Sequence, residues 1–334
     1  MNILFRTDSS NKIGSGHLQR CINLANIFYK KGNKIFFICN NYYGNLNNLI
    51  KRNYPLKILS STNKFNKNFK SLNMKDQIQD AKMTIDYAKK INADLIFLDS
   101  YLLDFNWQSL IRKFFKLIFV DDLALKNNCD IYINYHIEKK NIIQKNFLNK
   151  KTVKLLGMKN FIVNEKHLNF NNQSNIRKIY IYMGDVDSKN YSGKLLKLLL
   201  NKEFKKFQFI FILGSNYSLK DSFIKDCYDK KNITLIKKRL ISIWNIFNMK
   251  RDIVICSGGL IASEALYLGV KSIFICQNNF QHKNLRLKNK MIYKDIKNIT
   301  KKKLLFNLNN LVKSKFSHNK INNSTLIDSI LLNA

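Results

Sequence analysis

Proline, acidic residues and glycine are all scarce in this chain of 334 residues. It contains one proline, Pro55, 11 glycines and 22 acidic residues against 58 lysines and arginines, which gives a formal net charge of +36. Lysine, asparagine and isoleucine are abundant evenly along the chain, which indicates a compositional drift and not a localised patch. We expect most lysines to form a solvated surface. A basic groove that focuses the field on anionic ligands is the alternative.

The sequence also lacks paired cysteines and long apolar runs. Its six cysteines are widely spaced, with no C-x-x-C pair, as expected of buried reduced thiols. No apolar run approaches the roughly 18 residues of a membrane span, and Arg6 and Asp8 interrupt the first apolar run, which excludes a signal peptide. These features predict a cytoplasmic protein without stable membrane insertion. We also expect a monomer.

Signatures of metal binding and nucleic-acid binding are missing as well. No pair among the five histidines has zinc-ligand spacing, so we predict no metal and no cofactor. No helix pattern carries a basic stripe interleaved with aromatics, and no finger or RNA-binding signature is present. We therefore predict no nucleic-acid partner. A basic nucleic-acid-binding protein, with steeply salt-dependent binding, is retained as a third alternative.

Strand and helix patterns alternate in both halves of the chain. Hydrophobic residues make up 46%, enough for globular packing, and the length suits two domains. Alternation of this kind predicts parallel sheets covered on both faces. A polar stretch without periodicity, 164–175, predicts a boundary near residue 160, hence domains at 1–160 and 161–334. The fold class is α/β, with two Rossmann-like domains facing across a cleft, and ligands are expected at the carboxyl ends of the strands.

The predicted strands in chain order are 2–5, 35–39, 56–59, 95–98, 117–120, 131–134, 152–156, 178–183, 207–213, 233–236, 253–256 and 272–276.

The first strand leads through a glycine loop into a helix. Gly14, Ser15 and Gly16 permit a sharp turn, and apolar residues from Leu18 onward repeat at helical spacing. His17 is therefore predicted in the first helical turn, beside unpaired N–H groups and the positive end of the dipole, which favours the neutral imidazole that a general base needs. A capping or packing histidine is the alternative.

A second strand–glycine–helix unit follows residue 253. Cys256 and Ser257 lead to Gly258 and Gly259, and an apolar helix with Glu264 about one turn inside comes next. Amides at such a helix start suit a pyrophosphate, and the carboxylate can reach a ribose hydroxyl. The alternative is a plain tight turn, followed by a carboxylate near the helix N-terminus that interacts favourably with the helix dipole.

Several of these strings resemble the UDP-diacetamido-trideoxy-altropyranose hydrolases of pseudaminic acid biosynthesis and the related spore-coat polysaccharide proteins. The resemblance covers nearly the whole chain. It is carried by Arg6-x-Asp8, Ile13-Gly14-x-Gly16-His17, Arg20-Cys21-x-x-Leu24-Ala25, Asp99-Ser100-Tyr101-x-x-Asp104-x-x-Trp107, Asp121-Asp122-Leu123-Ala124, Gly184-x-x-Asp187-x-x-Asn190 and Gly258-Gly259-x-x-x-x-Glu264. The last string also resembles the two-domain (GT-B) nucleotide-sugar enzymes.

The resemblance implies hydrolysis of a UDP-linked diacetamido-trideoxy sugar to free sugar and UDP, in nonulosonate, surface-polysaccharide or flagellin-glycan biosynthesis. His17 is the implied general base on water. The implied sugar-side residues are Arg6, Asp8, Gly14, Gly16, Asp99, Tyr101 and Asp122. The implied nucleotide-side residues are Gly184, Gly258, Gly259, Glu264 and Gln281. A GT-B glycosyltransferase, in which His17 activates an acceptor hydroxyl, is the alternative function.

The sequence departs from the family pattern at several positions. Ser100 stands where the family has histidine, and Asp185 replaces a glycine, which puts a negative charge near the expected phosphate. Leu260 and Ile261 replace the hydroxyl residues that usually follow the glycine pair. Three of these changes lie on the nucleotide side, whereas the His17 loop keeps the family residues.

Overall fold

The chain divides into two compact units in the computed structural model, Met1–Ile162 together with Asn322–Ala334, and Val163–Ile321. The structure describes residues 1–59, 72–136, 143–161, 163, 177–214, 216–218, 221–228, 230–237, 243–285, 291–315 and 324–333. The polar stretch 164–175, on which the predicted boundary rests, lies outside the described residues.

The first unit is built on a seven-stranded sheet in which every pairing is parallel. Its strands are β1 (Asn2–Thr7), β2 (Lys34–Asn40), β3 (Leu56–Leu59), β4 (Leu95–Asp99), β5 (Lys116–Val120), β6 (Ile131–Asn134) and β7 (Val153–Leu156). Their order is β3-β2-β1-β4-β5-β6-β7. The strand order reverses beside β1, so loops after β1 and β4 part there and leave a crevice in which doubly wound folds bind ligands.

Helices cover both faces of this sheet. They are α1 (Gly16–Lys30), α2 (Asn48–Lys51), α3 (Met74–Lys90) and α4 (Phe105–Ile111). Strand residues alternate between the two faces: Phe5 of β1 belongs to the core cluster with Phe28 of α1, whereas Leu4 belongs to the cluster with Trp107 of α4. Successive residues of β1 therefore serve opposite sides of the sheet.

The second unit repeats the design with six parallel strands. These are β8 (Lys178–Tyr182), β9 (Gln208–Leu213), β10 (Ile233–Lys237), β11 (Ile253–Ser257), β12 (Lys271–Ile275) and β13 (Ile292–Tyr293). Their order is β10-β9-β8-β11-β12-β13, so here the order reverses beside β8. The helices are α5 (Tyr191–Leu199), α6 (Asp221–Tyr228), α7 (Leu260–Leu268), α8 (Asn279–Leu285) and α9 (Lys301–Lys313).

The last helix, α10 (Ser324–Asn333), packs in the first unit. Its buried residues Leu326, Ile327 and Ile330 belong to the core cluster of α1 and β1, and Lys31 Nζ lies 2.6 Å from Asp328 Oδ1. Residues 322–334 were expected in the second domain, and the structure differs from that expectation. The helical periodicity gives an apolar face but carries no information about which sheet the face covers.

Two shorter elements also differ from expectation. The helix expected near Asn45–Arg52 is limited to Asn48–Lys51, and the two-residue strand Ile292–Tyr293 was not predicted, because two residues show no periodicity. Within the described ranges, no helix is both long and apolar enough to cross a bilayer.

Candidate functional site

The loop between β1 and α1 places His17 in the first turn of the helix, as predicted. The backbone N–H of Gly14 donates to the Ser10 carbonyl (2.8 Å), and Gly14 has φ +80°, a conformation that favours glycine. Helix α1 begins at Gly16. Helix geometry leaves its first N–H groups without intrahelical partners, so His17 lies beside amide donors and the positive end of the dipole.

The imidazole of His17 is bound to the last residue of β4. His17 Nδ1 lies 2.5 Å from Asp99 Oδ1, and Asp99 is fully buried. The two residues meet because β4 pairs with β1 in parallel and Thr7 is in register with Asp99. A carboxylate accepts at Nδ1, so this nitrogen carries the proton and Nε2 of the neutral ring keeps its lone pair. Within the described part of the chain, Nε2 makes no hydrogen bond.

Arg20 joins this pair from one turn further along α1. Its Nε donates to Asp99 Oδ2 (2.6 Å) and its Nη2 donates to Asp99 Oδ1 (2.7 Å). Its Nη1 donates to Asp122 Oδ1 (2.7 Å) and to the Tyr135 hydroxyl. Sequence reasoning did not name Arg20 as a site residue. The three-residue spacing from His17, which puts both side chains on one helix face, is the signal that could have found it.

Tyr101 and Asp122 complete the cluster. The Tyr101 hydroxyl donates to Asp122 Oδ2 (3.1 Å), and the Tyr101 ring meets the His17 ring edge-on, with centroids 4.2 Å apart. His136, a second residue that sequence reasoning missed, has Nε2 at 3.9 Å from Asp122 Oδ1. The predicted residues His17, Asp99, Tyr101 and Asp122 are therefore brought together at the carboxyl ends of β1, β4 and β5.

The charges in this cluster shift the pKa values of its acids. Burial acts to raise the pKa of Asp99, but Arg20 and His17 outweigh it and hold that pKa below its usual range. The same balance, with Arg20 and His136 as the main opposing groups, lowers the pKa of Asp122. Burial, followed by the Asp122 charge, raises the pKa of Tyr101 far above its usual range, so the phenol stays a donor.

Arg6 and Asp8 have internal partners instead of a place in this cluster. The fully buried Arg6 guanidinium donates to both oxygens of Asp80 (3.1 and 2.7 Å) and lies 2.8 Å from Asp8 Oδ2. Asp8 Oδ1 accepts from the Asn40 backbone N–H (2.7 Å). Arg6 shares its face of β1 with Leu4, the face covered by α3 and α4. Both residues thus link β1 to its neighbours through internal contacts, and their expected contacts with a sugar stay a prediction.

In the second unit, the turn between β11 and α7 has a tightly packed first glycine. A Cβ on Gly258 would lie 2.8 Å from Gln281 Cβ and 3.0 Å from Leu285 Cδ1, so α8 leaves no room for a side chain. Gly259 is the N-cap of α7 and supplies no side-chain cap, and the first turn holds no acidic residue. The start of α7 therefore offers amide donors.

The start of α5 differs, because a carboxylate of the protein already occupies it. Asp187 accepts from the backbone N–H groups of Tyr191 and Ser192, both at 2.8 Å. Gly184, between β8 and this loop, has φ +102°, and a Cβ built on it would lie 3.7 Å from Ser257 Oγ. Gly184 is thus next to the β11–α7 turn, in the crevice where the strand order reverses.

Glu264 and Gln281 have defined partners near the same turn. Glu264 is buried and its Oε2 accepts from the Trp244 indole N–H (2.8 Å). Gln281 Oε1 accepts from the Gln277 backbone N–H (2.7 Å), and its Nε2 is 3.9 Å from the Cβ position of Gly259. Asp185, the departure from the family pattern, accepts from Asn216 Nδ2 (2.8 Å). Trp244 is a partner that sequence reasoning did not identify.

Metal-ligating side chains are not clustered in the described ranges: no group of three or more His, Cys, Asp or Glu there could hold an ion. The second unit's site residues Gly184, Gly258, Gly259 and Gln281 share one turn region, and Glu264 faces Trp244 beside it. Each unit therefore carries one candidate site at the point where its strand order reverses.

Two known proteins have low but significant sequence similarity to this chain. The chain is 25% identical over 295 residues to the uncharacterized protein MJ1062 of Methanocaldococcus jannaschii. The match covers 84% of this chain and 57% of that longer protein. It is 26% identical over 282 residues to the UDP-2,4-diacetamido-2,4,6-trideoxy-beta-L-altropyranose hydrolase of Campylobacter jejuni, covering 83% of this chain and 92% of that enzyme. No protein-family model matches the chain.

Solved structures resemble the chain over nearly its whole length. MurG of Acinetobacter baumannii matches with a TM-score of 0.60 at 12% identity, covering 94% of this chain and 91% of MurG. UDP-GlcNAc 2-epimerase of Neisseria meningitidis matches with a TM-score of 0.63 at 12% identity over all of both chains. The chain has the GT-B fold. The structural similarity establishes the GT-B architecture of two parallel-sheet α/β domains. At identities this low, it establishes nothing about the reaction.

Proposed function

We propose that this GT-B protein is an enzyme of glycan biosynthesis that hydrolyses a UDP-linked 2,4-diacetamido-2,4,6-trideoxy sugar, as the name of its Campylobacter relative describes for that protein. The observation that carries the proposal is the buried His17–Asp99 pair, with Nδ1 and Oδ1 2.5 Å apart, in the crevice of the first unit. A histidine held in this tautomer is suited to act as a general base through Nε2.

The chemistry balances with water as the sole co-reactant. Nε2 of His17 takes a proton from water as the water oxygen bonds to the anomeric carbon. The bond between that carbon and the diphosphate oxygen breaks, and its electron pair leaves with UDP. Asp99 keeps Nδ1 protonated and stabilises the imidazolium that forms. The proton then passes to solvent, and the products are free sugar and UDP, within the pseudaminic-acid class of sugars.

The nucleotide part of the substrate is assigned to the second unit. Amides at the start of α7, after Gly258 and Gly259, stabilise charge on the departing diphosphate. Gly184 lets the β8 loop approach the same region, and Glu264 with Gln281 orients the nucleotide. The carboxylate of Asp187 fills the start of α5, which favours α7 as the place for the diphosphate.

The sugar is assigned to the first unit, in the loop of Gly14 and Gly16 beside His17. Asp99, Tyr101 and Asp122 line this crevice, although their charged and hydroxyl groups bind one another and Arg20. Arg6 and Asp8 pair with each other, and Asp8 accepts from the Asn40 backbone N–H, so both stabilise the position of β1 in the sheet. Their contribution to sugar binding is therefore indirect, through the position of the β1 loop.

The test is an NMR assay of purified protein with a panel of UDP-sugars that includes the diacetamido-trideoxy-altrose compound and UDP-GlcNAc. We expect release of free sugar and UDP from the diacetamido compound, loss of about 10²–10⁴-fold in kcat in His17→Gln, and unchanged kcat in Arg112→Lys, a substitution far along the chain in the first unit. A His17→Gln protein with full turnover would overturn the role of His17.

A glycosyltransferase is the second candidate, because the departures from the hydrolase pattern at Asp185, Leu260 and Ile261 lie on the nucleotide side. The GT-B architecture is compatible with it, since the spinosyn rhamnosyltransferase SpnG shares the fold with a TM-score of 0.63 at 10% identity. This second candidate predicts that the nucleotide sugar binds without release of free sugar, and that UDP is released only when an acceptor alcohol is added. The same NMR assay, repeated with and without a panel of sugar acceptors, separates the two reactions.

A further inference from the structure

One side chain in the first unit contacts both carboxylates of the site. Arg20 donates two hydrogen bonds to Asp99 and one to Asp122, and only 7% of the residue is exposed. The proposed reaction uses His17 as base and gives Arg20 no contact with water or sugar. Because its donors are bound to these two carboxylates, Arg20 is better suited to hold them in place than to bind substrate.

The two bonds from Arg20 to Asp99 determine the plane of that carboxylate. Nε binds Oδ2 and Nη2 binds Oδ1, a forked arrangement that holds both oxygens. Oδ1 is also the oxygen that lies 2.5 Å from His17 Nδ1. If the fork were removed, the carboxylate could rotate about its last bond, and Oδ1 would lose its alignment with the imidazole.

The third hydrogen bond of Arg20 connects it, through Asp122, to the Tyr101 ring that packs against the His17 imidazole. Nη1 of Arg20 binds Asp122 Oδ1, and the other oxygen of Asp122 accepts from the Tyr101 hydroxyl. The Tyr101 ring then packs edge-on against the His17 ring, at an interplanar angle of 89°. The imidazole is held at Nδ1 by Asp99 and at its side by Tyr101, and Arg20 joins the two supports.

We propose that Arg20 is a positioning residue that orients the His17 base by fixing the Asp99 carboxylate and, through Asp122, the Tyr101 ring. This inference rests on the proposed function for its kinetic consequence, whereas its structural content concerns the ligand-free protein. Lysine at this position keeps one positive charge, but its donors all come from a single nitrogen, so it cannot reproduce the planar fork that Arg20 places on the two oxygens of Asp99.

The experiment compares Arg20→Lys with Arg112→Lys. Arg112 is a suitable control, because it also binds both oxygens of an aspartate in the first unit. Its Nε donates to Oδ1 and Oδ2 of Asp130 (3.1 and 3.2 Å), and its Nη2 donates to Oδ1 (2.8 Å). The first readout needs no substrate: the low-field proton resonance of the His17 Nδ1–H bonded to Asp99, assigned by its loss in His17→Gln. We expect Arg20→Lys to shift or abolish this resonance and Arg112→Lys to leave it unchanged.

The second readout is kinetic. Misplacement of a base by about an ångström costs on the order of 10²-fold. We therefore expect Arg20→Lys to lower kcat by about 10–100-fold with KM changed less than about threefold, and to displace the low-pH limb of the pH profile, where protonation removes a general base. A residue that bound the sugar would raise KM, and a residue with only a structural role would lower the melting temperature and leave the pH profile in place.

Tyr101 provides variants in case Arg20→Lys does not fold. Tyr101→Phe keeps the ring against His17 and removes one hydrogen bond, whereas Tyr101→Leu removes the ring edge. We expect Tyr101→Leu to shift the His17 resonance more than Tyr101→Phe does. An unchanged resonance and an unchanged kcat in Arg20→Lys, or in Tyr101→Leu if Arg20→Lys does not fold, would overturn the proposal.

The two proposals fail separately. If the resonance responds to Arg20→Lys but no UDP-sugar is hydrolysed by the unaltered protein, the hydrolase assignment is wrong and the positioning role stands. If the protein hydrolyses the sugar nucleotide and Arg20→Lys retains the rate, the pH profile and the resonance, the positioning role is wrong and the hydrolase assignment stands.

Discussion

Asp99 Oδ1 lies 2.5 Å from His17 Nδ1, although 82 residues separate the two along the chain. The parallel pairing of β1 with β4 creates this contact, because β4 ends at Asp99 beside the loop that leads into α1. The contact selects which nitrogen of the imidazole carries a proton, so it determines which nitrogen can accept one.

Replacement of Asp99 by asparagine tests that selection. The amide of the introduced side chain can donate to Nδ1, which would place the proton of a neutral ring on Nε2 and remove the base. Loss of a carboxylate with this role in another enzyme family costs about 10⁴-fold in kcat. We expect Asp99→Asn to lower kcat by about 10²–10⁴-fold, measured by UDP release at saturating substrate. Equal rates for Asp99→Asn and the unaltered protein would contradict the assigned tautomer.

The acid stability of the protein is expected to depend on Asp122. Arg20 and His136 outweigh the effect of burial and lower its pKa in the folded state. Asp122 therefore adds stability above its unfolded pKa of about 3.9, and this contribution is lost as the pH falls through the lower folded value. The deficit of Asp122→Asn in unfolding free energy should be largest near pH 6 and shrink below about pH 4, measured by urea titration.

Asp121, the residue before Asp122, is a control because its pKa is shifted in the opposite direction. Burial is the main cause that raises the pKa of Asp121, although it accepts from two backbone N–H groups and the Tyr132 hydroxyl. Its stabilising contribution is present at low pH and is lost as the pH rises through the raised folded value. The deficit of Asp121→Asn should therefore be smaller at pH 7 than at pH 4. Parallel pH curves for the two variants would contradict at least one of the two assignments.

The indole of Trp244 is expected to matter through its hydrogen bond to Glu264. Trp244→Phe leaves a buried carboxylate oxygen without this donor, a change that costs about 1–3 kcal/mol of unfolding free energy. Glu264→Gln retains an amide oxygen that can accept from the indole, and should cost less. Urea titration of both variants checks the order, which would be reversed if Glu264 were held mainly by other groups.

Helix α10 should contribute to the core of the first unit. Ile327 is fully buried there, and truncation of such a side chain costs about 2–5 kcal/mol. We expect Ile327→Ala to lower the unfolding free energy by this amount. Lys31→Ala, which removes the exposed pair with Asp328, should cost less than about 1 kcal/mol. Thermal melts of the two variants provide the comparison.

Most of the strands could be predicted from the sequence, because buried parallel strands are short continuous apolar runs. The strands 56–59 and 131–134 match the predicted ranges, and most others differ by one or two residues at an end. The place of α10 could not be predicted, since an apolar helix face does not specify its partner sheet. The His17 turn and the two-glycine turn were predictable because glycine and helical periodicity are local signals.

The partners of the site residues were less predictable. Arg6 and Asp8 match a motif of the hydrolases that the sequence resembles. Their contacts with Asp80 and Asn40 depend on which face of β1 each side chain occupies and on elements distant in sequence. Arg20 contacts Asp99 and Asp122, from the ends of two other strands. Long-range contacts of this kind follow from sheet order, and strand patterns alone leave the order of the strands open.

The attachment of α10 to the first unit has a consequence for synthesis of the chain. A ribosome makes residues 163–321 before it makes α10, so the second unit is already synthesised while the core around α1 still lacks Leu326, Ile327 and Ile330. Domains otherwise tend to fold as units from the N-terminus onward during translation. In this chain, the unit that carries His17 can complete its core only after the unit that follows it has been made.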